Sequence, residues 1–192
     1  HGACFGEVAG WERANWFLPE TAVADGETPT YEYSWKRQNW FDYSAAEHHA
    51  VRQTVGLFDM SSFGKIKLVG RDAEAVLQRI AANDVAVPIG KIVYTQFLNE
   101  AGHIEADVTV TRLAADEFLV VTPAATIRRD LHWITSHIPN DAQAYAIDVT
   151  VAEAVLVVMG RQARQFLQPL IPQSLENDDF TFGTMQLIEI GY

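Results

Sequence analysis

Hydrophobic and polar positions along this chain follow two rhythms, and the sharper one has a period of two. In Ile104-Glu105-Ala106-Asp107-Val108-Thr109-Val110-Thr111 the apolar side chains take the even-numbered positions. A strand therefore sends Ala106, Val108 and Val110 to one face and Asp107, with Glu105, Thr109 and Thr111, to the other. That second face is either wet or the wall of a polar pocket, since an antiparallel strand packs one side and leaves the other free. Residues 92–98 precede this run across Asn99-Glu100-Ala101-Gly102, where Gly102 can take a positive φ. Together they predict a β-hairpin.

The second rhythm is helical. Ala73, Val76, Leu77, Ile80 and Ala81 line one stripe, and Ile127, Leu131, Ile134 and Ile138 line another, behind Thr122-Pro123 as cap and first residue. Ser44-Ala45-Ala46-Glu47 has the Ser-x-x-Glu spacing of a capping box, which predicts a helix from 44 to about 55, closed by Gly56. Strands are predicted at 66–68, where Ile66 and Leu68 alternate with Lys65 and Lys67, and at 118–122, 144–149, 155–159 and 185–190, with a helix at 162–170. Hairpin-linked strands with helices between them give the expected class: α+β with a largely antiparallel sheet and packed helices.

Residues 1–43 follow neither rhythm. Four of the five tryptophans lie there, Trp11, Trp16, Trp35 and Trp40, and residues 20–30 read as an exposed loop. A segment of this kind is expected to be an arm or linker whose rings dock on its own domain or on a neighbouring one. Residues 44–192 form the body of the fold.

With 192 residues, 48% of them hydrophobic, the chain can bury a substantial core. Its net charge of −11 excludes a nucleic-acid backbone as partner, because the longest basic runs are the pairs Lys36-Arg37 and Arg128-Arg129. No apolar run approaches the roughly 18 residues of a membrane span, so no membrane is expected as partner. Cys4 is the only cysteine, which forbids an internal disulfide and fits a reducing, cytoplasmic compartment. Metal chemistry is not expected: the rings of His48 and His49 point about 100° apart on a helix and lack a third ligand at suitable spacing. Neither a Gly-x-Gly-x-x-Gly fingerprint, a P-loop nor a Gly-x-Ser-x-Gly elbow occurs.

Three motifs carry a family resemblance. Gly56-Leu57-Phe58-Asp59-Met60-Ser61, Asn99-x-x-Gly102-x-Ile104-x-x-Asp107 and Val155-Leu156-Val157-Val158-Met159-Gly160 resemble, in order and spacing, the aminomethyltransferase (T-protein) family of the glycine cleavage system. The run from Gly10 to Phe17 and Arg37-Gln38-Asn39-Trp40-Phe41 are similar to the version fused behind the flavin domain of dimethylglycine and sarcosine dehydrogenases. The resemblance implies a tetrahydrofolate pocket with Asp107 as the catalytic aspartate. Tyr94, Phe63, Leu119 and Val121 are the implied cofactor-binding wall. FAD is implied only in a domain outside this chain, and that flavin-containing domain of the same longer protein is the implied partner. It would oxidise an N-methyl amine to the iminium whose carbon passes to tetrahydrofolate.

The chain departs from the family pattern in two places. It has Ala106-Asp107 and His103 where the family commonly has paired aspartates and a second glycine, leaving one carboxylate in the motif. It also stops at Ile190-Gly191-Tyr192, ahead of a Thr-Gly-Glu stretch, so 44–192 is expected to be the N-terminal part of a T-protein-like folate-binding domain, truncated at its C-terminal end. A stand-alone folate-dependent demethylase of a methylated sulfur compound and a non-catalytic folate-binding or structural module are the alternatives.

Overall fold

A computed structural model describes residues 2–190, and the described chain divides into two compact units. One contains the residues up to Phe58 together with Val157–Leu167; the other contains Asp59–Leu156 and the residues from Gln168 on. Gly191 and Tyr192, on which the expected truncation rests, lie outside the described residues.

The first unit opens on a hairpin that the sequence pattern does not announce. Strands β1 (Ala3–Val8) and β2 (Trp11–Phe17) pair antiparallel, with Ala9 and Gly10 between them at φ of 52° and 83°. Two positive φ values are what a two-residue turn of type I′ demands. Two features hide the hairpin: Ala-Gly is not the usual Asn-Gly or Asp-Gly turn signal, and a register shift between Cys4 and Phe5 breaks the alternation. The expected loop at 20–30 is exposed along most of its length but begins with a short helix, α1 (Glu20–Ala24).

Helix α2 (Phe41–Gln53) starts three residues ahead of the expected Ser44. Its start is set by packing rather than by a capping box: Trp16 stacks on Tyr43 at 5.3 Å, and Trp40 and Tyr43 pack against the small core of Cys4, Trp16 and Leu18. Ser44 lies inside the first turn, its amide bonded to the Trp40 carbonyl at 3.0 Å. Gly56 does not end the helix but opens a strand absent from the sequence reading, β3 (Gly56–Asp59), which pairs with β9 (Leu156–Met159). The helix expected at 162–170 is shortened to α5 (Ala163–Leu167) and a 3-10 turn (Gln168–Leu170), because Pro169 lacks the amide a continuing helix needs.

The second unit is built on a five-stranded antiparallel sheet in the order β5-β6-β7-β4-β8. Its strands are β4 (Gly64–Val69), β5 (Ile92–Leu98), β6 (Ile104–Arg112), β7 (Glu117–Thr122) and β8 (Tyr145–Asp148). One face is buried by α3 (Ala73–Ile80) and α4 (Ile127–Ser136) around Ile66, Leu68, Phe97, Val108, Phe118 and Val120. The stripes expected on these helices are the ones that pack: Ala73, Val76, Leu77, Ile80 and Ile134 are buried.

Thr122, expected as the cap of α4, ends β7 instead, and a 3-10 turn (Ala124–Thr126) separates the two. Its hydroxyl donates to the buried carboxylate of Asp130, as does that of Thr126 at 2.6 Å. A buried acid needs such donors more than a helix end does. Residues 185–190, expected as a strand, form no ladder; pairing stops at an isolated bridge between Lys91 and Thr184. Leu187 is 89% exposed, so no described element covers it as a strand face would require.

Candidate functional site

The sheet face away from α3 and α4 carries the candidate site. In β6, Ala106, Val108 and Val110 are buried while Asp107 is exposed, as the alternation predicts. The hairpin forms across the expected turn, with Gly102 at φ 80° and the Asn99 side-chain oxygen accepting the amides of Ala101 and His103, each at 3.0 Å. This register sets Gln96 directly opposite Asp107 and Tyr94 opposite Thr109.

Two donors from β5 reach the carboxylate. The Tyr94 hydroxyl donates to Oδ2 of Asp107 at 2.9 Å, and Nε2 of Gln96 donates to Oδ1 at 3.0 Å. Both are neutral, and among the described residues Asp107 enters no ion pair. Its negative charge is therefore held in place without being cancelled. The same contact acts on the phenol: the hydrogen bond it donates to the Asp107 carboxylate pushes the Tyr94 pKa above its ordinary value, partial desolvation and the nearby negative charge add to this, and the Gln96 amide opposes it.

Leu119 and Val121 lie half-buried on β7, paired with Thr111 and Thr109 of β6. One row across the sheet thus reads Tyr94, Thr109, Val121, Lys65, and the next reads Ile92, Thr111, Leu119, Lys67. Phe63 is not in this row. It is half-buried in the turn before β4, its amide bonded to the Met60 carbonyl at 3.0 Å, and no described hydrogen bond or ring contact joins it to Tyr94 or Asp107.

The lysine end of the face is occupied. Lys67 bridges Glu117 at 3.3 Å and Glu153 at 3.2 Å. Lys65 is 1% exposed and donates to the Ser61 carbonyl at 2.8 Å; its burial lowers the ammonium pKa, against the opposing pull of Glu153, Asp148 and Asp59.

Gln96 is the residue that the motif reading missed. The signal was present, because residues two apart on a strand share a face, and Tyr94 and Gln96 both fall opposite the Asp107 side of the hairpin. A carboxylate with one neutral donor on each oxygen retains lone pairs that can take an amine N–H or face a cation. Tyr94 and Val121 lie in the adjacent row and Leu119 in the row beyond it, so the same face carries aromatic, apolar and anionic surface.

A model of the GCVT N-terminal domain matches residues 1–192. The chain belongs to that family. It is 45% identical over its whole length to the 4-methylaminobutanoate oxidase (formaldehyde-forming) of Paenarthrobacter nicotinovorans, covering 23% of that protein. It is 34% identical to the mitochondrial dimethylglycine dehydrogenase of Mus musculus, over 91% of this chain and 19% of that protein. The chain thus spans about a fifth to a quarter of the length of these curated relatives. The crystal structure of the glycine cleavage system aminomethyltransferase T from Bartonella henselae superposes with a TM-score of 0.69 at 25% identity, over 88% of this chain and 40% of that one. The α+β fold with its antiparallel sheet is the aminomethyltransferase T fold. No helix among the described residues is long and apolar enough to cross a membrane.

Proposed function

We propose that this GCVT-family chain is the tetrahydrofolate-dependent one-carbon transfer module of a longer N-methyl amine dehydrogenase of the dimethylglycine or sarcosine type. In that longer protein, residues 44–192 form the N-terminal part of the folate-binding domain, and 1–43, which shares a compact unit and its small core with α2, meets a flavin-containing domain. The supporting observation is Asp107, an exposed carboxylate held by Tyr94 and Gln96 through neutral hydrogen bonds on a sheet face that also carries Val121 and Leu119 among threonines.

That face suits a reduced pteridine: the Tyr94 ring, 61% exposed, and the side chains of Leu119 and Val121 offer flat apolar contact, and Asp107 offers an acceptor for ring N–H groups. Phe63, set apart before β4, would extend the wall. The flavin, bound in the other domain, supplies the two-electron oxidation of the N-methyl group to an iminium. On this chain, Asp107 orients the attacking amine of tetrahydrofolate and accepts its proton as the new C–N bond forms. The same anion stabilises the cationic iminium. Return of that proton to the departing amine, as its bond to the carbon breaks, leaves the carbon on the first folate nitrogen, and closure by tetrahydrofolate's second amine, with loss of its proton to solvent, gives methylenetetrahydrofolate. Exclusion of water matters because a free iminium hydrolyses to formaldehyde.

The formaldehyde-forming relative favours a competing reading, in which the iminium carbon ends as formaldehyde and this module does no chemistry. Asp107→Asn in the full-length protein separates the two. Single-turnover formation of methylenetetrahydrofolate should fall by about 10²–10⁴, the usual cost of losing a positioned acid or base, while amine oxidation proceeds. An unchanged yield refutes the assignment.

A further inference from the structure

We propose that Gln96 is a positioning residue for the transfer step, holding the plane of the Asp107 carboxylate so that its free lone pairs point off the sheet toward the bound amine. This rests on the transfer reading above.

The geometry makes a single donor insufficient. The terminal torsion of an aspartate is broad and roughly two-fold, so an exposed carboxylate bonded at one oxygen can still rotate about its Cβ–Cγ bond. Here Tyr94 holds Oδ2 at 2.9 Å and Gln96 holds Oδ1 at 3.0 Å, both from β5, and two anchors on two oxygens define a plane. Gln96 is the directly paired partner of Asp107 across the hairpin, whereas Tyr94 reaches it diagonally. The backbone register therefore sets the Gln96 contact most directly. An amide also serves better than an ammonium or guanidinium would. It fixes the carboxylate without pairing its charge, and that charge is what faces the iminium.

The test is a double-mutant cycle in the full-length protein, read as single-turnover methylenetetrahydrofolate formation per amine oxidised. Gln96→Leu keeps a side chain of comparable bulk on the half-buried strand position but removes the donor. It should lower kcat for transfer by roughly 10- to 100-fold, the scale of a misplacement of about 1 Å, with KM for tetrahydrofolate nearly unchanged. In an Asp107→Ala background the same Gln96→Leu change should have no further effect, because there is no carboxylate left to orient. A loss in KM instead of kcat, or a Gln96→Leu loss that persists in full beside Asp107→Ala, overturns the positioning role and marks Gln96 as a structural or contact residue. So does a silent Gln96→Leu when Asp107→Ala alone is severe. If Asp107→Ala itself leaves transfer intact, the failure lies in the transfer reading.

Discussion

The isolated 192-residue chain should bind tetrahydrofolate far more weakly than the longer protein does. Asp107 and Tyr94 sit on an open sheet face, Tyr94 at 61% exposure, so a pteridine laid against Leu119, Val121 and the tyrosine ring would be covered from one side. Productive small-molecule sites bury about 70–90% of their ligand. An aromatic ring system of side-chain size buries about 150–250 Å² when fully enclosed, so one uncovered face leaves on the order of 100 Å² in water. At about 25 cal/mol per Å² that forfeits about 2.5 kcal/mol, or on the order of 10²-fold in Kd, before any lost polar contact is counted. Isothermal titration of tetrahydrofolate into the isolated chain and into the full-length protein measures the ratio. Equal affinities would refute the reasoning, because Tyr94, Asp107 and their neighbours would then be a self-sufficient site.

The Tyr94–Asp107 contact has a spectroscopic consequence: the phenol should ionise above its ordinary range near 10, and Asp107→Asn should bring that titration down, as read by tyrosinate absorbance. Because the folded-state pKa is raised, the contact contributes stability below the ordinary phenol pKa and loses it as pH rises through the folded value. A titration unaffected by Asp107→Asn would mean that the hydrogen bond is absent in solution. Asp130→Ala should destabilise the second unit by about 1–3 kcal/mol, since Thr122, a residue 1% exposed, loses the carboxylate its hydroxyl donates to and keeps only the longer contact with the Thr126 hydroxyl. Urea denaturation followed by circular dichroism checks this, and a shift below about 0.5 kcal/mol would count the network as unimportant.

Local rules made some elements readable from the chain and left others invisible. The β5–β6 hairpin, the Asp107 face and the stripes of α3 and α4 rest on periodicity and on one glycine-bearing turn, and each lies where the pattern puts it. The β1–β2 hairpin has no such pattern; it exists because Trp16 and Tyr43 stack and because Cys4, Trp16 and Leu18 share a core. The start of α2 follows the same packing, against the capping signal at Ser44. The lone strand pattern at 185–190 stays unpaired for the converse reason, since alternation describes a surface and cannot supply the partner that a ladder requires.

By itself, then, the sequence determined which side of β6 Asp107 occupies, because side-chain direction along a strand depends only on its period of two. It could not determine what touches the carboxylate. That depends on the register of a second strand, which a shift of one residue would reverse face by face. The tertiary structure chose a pairing in which Gln96 meets Asp107 and Tyr94 reaches across diagonally, and it set Phe63 in the turn before the β4–β7 ladder begins, outside the row. A carboxylate on a wet strand became a held, uncancelled charge through contacts thirteen and eleven residues away in the chain.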